Sequence, residues 1–404
     1  MKPKASLTQK FVLGVLTVCI CLFLGGGASA ENHDQKGPAS GAVYVLTNLI
    51  EGNTVVVYHR SADGTLTRVS EVATGGRGSG PGQLPPGFGN GPGPNPLDSA
   101  DGLVLTDDGH FLLAVNSRSN DVSVFAVTND ELRLVDRVPS NGNFPVSIAH
   151  HKNLIYVLNE GESPDEFFGG VPDISGFRLD NDGKLHSIAH STLVTGAPDS
   201  GPSQAAITPD GKYLITTEMF TQLIKVFTVQ EDGLLTEKLS ILANNPTPLA
   251  VDFGHRNLVA ITEGNDIGHR VGSPDGATLS TYRMTDDGVL EPISRATPVN
   301  RTGTCWVRFS ADGRFAFTGD TGSGSVSTFS VSREGELTLL SSADTGGVAS
   351  VPIDLALSRD GRFLYVLASF SGAVKGFRIE NDGSLTPVGS ADGLPITIQG
   401  IVAR

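Results

Sequence analysis

Short runs of β-branched and aromatic residues alternate along most of the chain with clusters of Gly, Asp, Asn and Pro. This is the pattern of many short strands joined by tight turns. One aromatic residue recurs inside these runs, at Tyr58, Phe125, Phe177, Phe227, Tyr282, Phe329 and Phe377. A Leu follows eight positions later at Leu66, Leu185, Leu235, Leu290, Leu337 and Leu385, and seven positions later at Leu132. The chain therefore consists of seven repeats of about 50 residues.

Within one repeat the hydrophobic pattern divides into four strands, a to d. In the fourth repeat these are Ser203 to Thr208, Lys212 to Thr217, Gln222 to Val229 and Leu234 to Leu239, with Asp210-Gly211 and Asp232-Gly233 between the members of each pair. Asp-Gly turns suit hairpins because the turn needs a positive φ, which Gly adopts without steric cost. The a–b turn recurs at Asp108-Gly109, Asp312-Gly313 and Asp360-Gly361. The c–d turn recurs at Asp63-Gly64, Asp182-Gly183, Asp287-Gly288 and Asp382-Gly383. Four-stranded units of this length predict an all-β fold, a seven-bladed β-propeller. The first repeat begins at strand b, Ala42 to Thr47, and a spare strand a, Ile396 to Val402, stands at the other end. The C-terminal strand is expected to join the first blade and close the ring, which removes open sheet edges.

The expected organisation is a signal peptide over 1–30, a polar segment over 31–40, and one propeller domain over 41–404 with a Gly/Pro-rich loop at 74–97. The leader reading rests on Lys2, Lys4 and Lys10, the short apolar stretch Phe11 to Leu24, and Ala28-Ser29-Ala30 as cleavage site. It predicts a secreted or periplasmic protein without an integral membrane anchor. Cleavage takes three Lys and no acid with it and moves the formal charge from −14 to −17. Such acidity argues against nucleic acid as a partner. Cys19 and Cys21 leave with the leader, so Cys305 is the one thiol expected in the mature chain, which then has no internal disulfide.

Strand parity locates function. The a–b and c–d turns share one face of the ring; the b–c and d–a connections share the other. The tight Asp-Gly turns mark the first face, and the long insertions fall on the second: Thr74 to Pro96, Glu160 to Asp173 and Glu263 to Gly276. Long loops gathered on one face point to binding there. The same face receives the ends of strand b, which read Asn48, Asn116, Asn159, Glu218, Glu263, Asp320 and Ala368. Asn116, Asn159, Glu160, Glu218 and Asp320 are expected to form a polar, ligand-binding rim around the channel. The carboxylates are the candidates for an acid, a base or a cation ligand.

The repeats PDGKYLITTE…IKVFTVQEDGLLTE and RDGRFLYVLASFSGAVKGFRIENDGSLTPVG resemble the lactonase family of seven-bladed propellers, which includes proteins of the 6-phosphogluconolactonase and carboxymuconate cyclase type. The likeness covers nearly all of the mature chain but rests on blade-building residues. It implies a site at the channel mouth made of His, Arg and Glu. In the corresponding fifth blade, Asn245-Pro246-Thr247-Pro248 lacks both the Arg and the His. Thr262-Glu263 retains the Glu. Ser203 stands where the family often has His, and Thr321 where an Arg is expected. An acidic rim without Arg partners is poorly suited to a carboxylate or phosphate, so 6-phosphogluconolactone is not the expected substrate.

Two readings remain open. In one, the protein is a hydrolase or cyclo-isomerase of a lactone, with Glu263 as catalytic base or acid and Arg270, His269 or Arg301 as electrophilic partner. In the other, it is a non-catalytic monomeric module whose long-loop face holds a protein or glycan. No cofactor and no metal site is expected. Glu160, Asp165, Glu263 and Asp266 offer oxygens but lack the spacing of a calcium loop.

Overall fold

The computed structural model describes residues 40–83, 92–93, 97–128, 131–161, 170–198, 200–265 and 276–404. The expected leader, most of the segment after it, and Asp165, Glu166, Phe167, Phe168, Asp266, His269 and Arg270 lie outside the described residues.

Among the described residues, seven antiparallel sheets of the order d-c-b-a form the blades of a propeller, and Gly82–Gln83 pairs with Pro92–Gly93 in a separate two-stranded sheet. In blade order, strand a is Ile401–Ala403, Leu103–Leu105, Pro145–His151, Pro202–Ile207, Pro248–Gly254, Thr304–Phe309 and Pro352–Leu357. Strand b is Gly41–Leu46, Phe111–Asn116, Leu154–Asn159, Tyr213–Glu218, Leu258–Glu263, Phe315–Asp320 and Phe363–Ala368. Strand c is Thr54–Arg60, Asp121–Thr128, Asp173–Leu179, Leu223–Val229, Thr278–Met284, Ser325–Val331 and Ala373–Ile379. Neighbouring a strands pack side by side and line the central channel. In the third blade the outer strand is split into Leu185–Ser187 and Leu193–Val194, both paired with strand c.

Ring closure occurs as the sequence predicts: Val43 to Val45 pair with Ala403 to Ile401. The closing strand is shorter than expected, because Ile398 N donates to Pro395 O and turns the chain before Gly400.

Two local devices explain why the repeat takes this form. In four a–b turns a Thr or Ser stands two residues before the Asp of Asp-Gly, and an aromatic three residues after it. Asp312 is representative. It accepts hydrogen bonds from Ser310 Oγ at 2.6 Å and Arg314 N at 3.0 Å, while Ser310 Oγ accepts from Phe315 N at 2.9 Å. The side chains thus satisfy the amides that the turn exposes. The aromatic then docks on the next blade. A Cβ added at Gly383, the c–d turn glycine of the seventh blade, would lie 2.5 Å from Phe315 Cε1. Gly64, Gly183, Gly288 and Gly335 stand in the same relation to Phe363, Phe111, Tyr213 and Leu258. The repeated aromatics of strand c, among them Phe125, Phe177, Phe227 and Phe329, are fully buried within the blades.

Candidate functional site

The polar residues at the ends of strand b are buried, and their partners lie mainly on strand c of the same blade. Asn116 Nδ2 donates to Asp121 Oδ1 at 2.7 Å and Ser123 Oγ at 2.8 Å, and Asn159 Nδ2 donates to Asp173 Oδ1 at 2.9 Å. Glu218 pairs with Lys225 at 2.8 Å and accepts from Thr221 Oγ1. Glu263 accepts from Thr278 Oγ1 at 2.6 Å, Ser280 Oγ at 2.8 Å and Asn244 N at 3.0 Å. Asp320 accepts from four hydroxyls, those of Thr304, Thr318, Ser325 and Ser327. Strand b is the second strand from the axis, so its last side chain turns into the sheet and ties the outgoing loop to strand c. The expectation of an open rim is therefore met by a ring of internal latches. Burial raises the Glu263 carboxyl above its ordinary range, against the pull of Thr278 and Ser280, and raises Asp320 to about 6 against its four hydroxyl donors.

Arg301 lies on the d–a connection before the sixth blade and donates to Asn300 O and Ser342 Oγ. Among the described residues it makes no ion pair with Glu263. Glu160 follows strand b of the third blade, half-buried, with its amide on Phe144 O.

The channel is closed near this face by residues 97–101. Leu97 N donates to Gln399 Oε1 at 2.8 Å, Ser99 Oγ to Val146 O at 2.8 Å, and Ala100 N to Ser203 O at 3.1 Å. Gln399 Nε2 returns a bond to Ser99 O at 2.6 Å. The end of the Gly/Pro-rich insertion thereby crosses from the first blade to the fourth and stops the bore. Earlier in the insertion, Gly78 N and Gly80 N bond to Leu49 O and Asn48 O, so this part lies against the first blade.

Asp101, the last residue of that plug, projects into a cavity of about 430 Å³ that opens between the a–b turns. Its carboxylate is 2.7 Å from Arg308 Nη2 and accepts from Gln204 Nε2 at 2.5 Å. Asp354 lies 4.0 Å from the same guanidinium. Asp252 lines the cavity and accepts from Phe309 N at 2.6 Å through Oδ2. Above this floor Val104, Ile148, Ala205, Val251 and Leu355 form an apolar band, and Asp107, His150, Arg359 and Arg404 complete the lining.

Burial pushes Asp252 up to about 6 and Asp354 up to about 7, although Arg308 pulls both down. Burial also works against the guanidinium charge, but Asp101, Asp252 and Asp354 more than offset it and raise the Arg308 pKa. Hydrogen bonds to Asp101 and Val307 O engage two of the five guanidinium N–H donors. The floor thus joins a carboxylate that titrates near neutrality to a fixed cation with donors to spare. A base and an electrophile in that relation can activate water and polarise a carbonyl.

None of these five residues stood out from spacing, since each comes from a different blade or loop. One signal was present: a charged side chain inside the otherwise apolar innermost strand, as at Asp252, Arg308 and Asp354.

Comparison with known proteins decides the family. The profile described as "Lactonase, 7-bladed beta-propeller" matches residues 33–168 and 267–395, about two-thirds of the chain. The chain belongs to this family. Among curated relatives of the lactonase-family chain are a 6-phosphogluconolactonase of Serratia proteamaculans, 27% identical over 181 residues, and one of Yersinia pestis, 26% identical over 172. The matches cover 43% and 41% of this chain and 48% and 46% of the relatives, so the chain spans about half their length. The periplasmic gluconolactonase of Pseudomonas aeruginosa superposes with a TM-score of 0.65 at 17% identity, over 90% of this chain and 99% of that one. A functionally unknown protein of Desulfotomaculum acetoxidans superposes with a TM-score of 0.66 at 13% identity, over 90% and 98%. These superpositions speak for the fold alone.

Proposed function

We propose that the protein is an exported, lactonase-like propeller that opens or isomerises a lactone or related cyclic ester in the channel cavity. The observation that carries this reading is the floor itself, where Asp252 and Arg308 line one cavity beneath an apolar band. Family membership supports the chemistry, and the basic, apolar and small-residue order of residues 1–30 supports export. In the hydrolytic version Asp252 takes a proton from water. The resulting hydroxide adds to the lactone carbonyl beside the guanidinium, the ring C–O bond breaks, and the departing alkoxide receives the proton back. Three carboxylates around one guanidinium disfavour a phosphate at the floor. A lactone without phosphate fits better than the sugar phosphate in the relatives' names.

The test is acid release in a pH-stat from a panel of uncharged lactones, with Asp252→Asn and Glu263→Gln compared. Loss of release in Asp252→Asn alone supports the channel site. Loss in Glu263→Gln alone returns the chemistry to the long-loop face. No release from the folded protein favours the second reading, a binding propeller. One observation speaks for that alternative: Val348 and Phe370, 64% and 45% exposed, stand on neighbouring loops of the long-loop face.

A further inference from the structure

A second cavity opens beside the a–b turn of the fifth blade. In the fourth and sixth blades five residues separate strands a and b, 208–212 and 310–314. Both contain Asp-Gly. In the fifth blade only three do, His255, Arg256 and Asn257, the last two at φ +58° and +59°. By register the fifth hairpin is one residue shorter than its neighbours, since Phe253–Val259 stands where they have Ile207–Leu214 and Phe309–Ala316, and a groove of about 710 Å³ lies across it. Its walls include Phe253, Leu258, Met284, Phe309 and Leu357. It is not separate from the channel: Asp252, Phe253, Arg308 and Leu357 line both cavities. The carboxylate and guanidinium of the floor stand where the two spaces meet.

We infer that the site accepts a two-part, uncharged ligand, a lactone ring in the channel with an apolar substituent lying in the groove of the fifth blade. The inference rests on reading the channel as the reaction site and adds the substrate class: alkyl- or aryl-substituted lactones in preference to bare ones. The geometry requires the cyclic ester at the junction, beside Asp252 and Arg308. A substituent on the ring carbon that bears the ester oxygen then leaves toward Phe253 and Phe309. Phe253, Leu258, Met284 and Phe309 offer an apolar tail a surface that a polar one could not pair with, while Asp210, His255 and Arg256 stand along the rest of the lining.

Binding and turnover are measured separately. The probes are six-membered lactams, which hold the ring shape but resist hydrolysis, bearing alkyl chains from methyl to hexyl. Calorimetry with the wild-type protein is expected to show about two- to fourfold tighter binding for each added methylene. Pro209→Trp, at an exposed position on the groove wall, fills the groove. Phe253→Ala removes the shared wall. Pro209→Trp is expected to flatten the gradient while the methyl lactam binds as before; Phe253→Ala, whose ring also lines the channel, is expected to flatten it while weakening every lactam. Equal binding at all chain lengths, absence of binding, or a gradient that persists in both variants overturns the groove. Turnover of small lactones with flat lactam binding overturns the groove and leaves the proposed function standing. A steep gradient without turnover of any lactone does the reverse.

Discussion

Arg60, on strand c of the first blade, places its Nη1 3.4 Å from Asp360 Oδ2 in the a–b turn of the seventh. The pair is close enough for Coulombic attraction, but Nη1 is not aligned as a hydrogen-bond donor. The guanidinium also covers the Phe363 ring at 5.5 Å and donates to Arg404 O at 3.4 Å. One buried side chain therefore connects the closing strand to both blades at the seam. Arg60→Ala is expected to destabilise the protein by about 2–4 kcal/mol, by removing a buried cation from its partner and leaving a void. Urea unfolding checks this. The seam reading also predicts that deleting residues 401–404 lowers stability by a comparable amount, and a loss below 0.5 kcal/mol in both would contradict it.

Blade docking is tested at Gly383. Its φ is +84°, and an added Cβ would meet the Phe315 ring at 2.5 Å. Gly383→Ala combines left-handed strain with that collision, for an expected cost of about 2–4 kcal/mol. The double variant with Phe315→Ala separates the two effects. Relief of the collision makes the pair less destabilising than the sum of the single changes, and simple additivity would show that the contact is unimportant.

The blade count, strand order, turn positions and ring closure were legible in the sequence because they depend on local signals. Alternation marks strands, Asp-Gly marks turns, and the aromatic and Leu of each repeat mark register. The strand-b ends were equally visible, but not that the sheet encloses them: Asp320 is buried against four hydroxyl donors. The cavity floor was hidden because Asp101, Gln204, Asp252, Arg308 and Asp354 come from five segments of the chain. Only ring geometry brings them together. The groove was hidden likewise, because its lining comes from the fourth, fifth, sixth and seventh blades.

The latches have a pH signature. Asp320 is fully buried, and its carboxyl is raised to about 6 from an ordinary value of 3.8. A raised acid binds its proton more tightly in the folded state than in the unfolded one. Its effect on stability is therefore most favourable below about pH 4 and is lost as pH rises through about 6. Over that window the wild-type protein is expected to lose about 3 kcal/mol relative to Asp320→Asn, whose amide does not titrate. The Asp-Gly turns act in the opposite sense. Asp312 is exposed, and Ser310 and Arg314 outweigh its slight desolvation and hold it at about 2, so its contribution is present above pH 4 and is lost as pH falls toward 2. Thermal melts from pH 3 to 8, read as the difference between wild type and Asp320→Asn, isolate the first effect. A difference that does not change between pH 4 and 7 would refute it.

The same reasoning fixes the pH dependence of the proposed reaction. Asp252 acts as a base only when ionised, and burial holds its carboxyl at about 6, with Arg308 favouring the charge and Asp101 opposing it. Asp354 titrates at about 7 beside the same guanidinium, so the two carboxyls share a rising limb between pH 6 and 7 rather than separate steps. For an uncharged lactone, kcat/KM is expected to rise with pH to a plateau above about 7. Asp252→Asn should lower the plateau by about 10²- to 10⁴-fold. Asp354→Asn removes a neighbouring charge without removing the base. It should leave the plateau within about tenfold and move the midpoint toward lower pH, because Asp252 then shares Arg308 with one carboxylate fewer. A profile that keeps its midpoint in Asp354→Asn would mean that the two groups are not coupled through Arg308. Loss of activity in that variant with Asp252→Asn unaffected would make Asp354 the base.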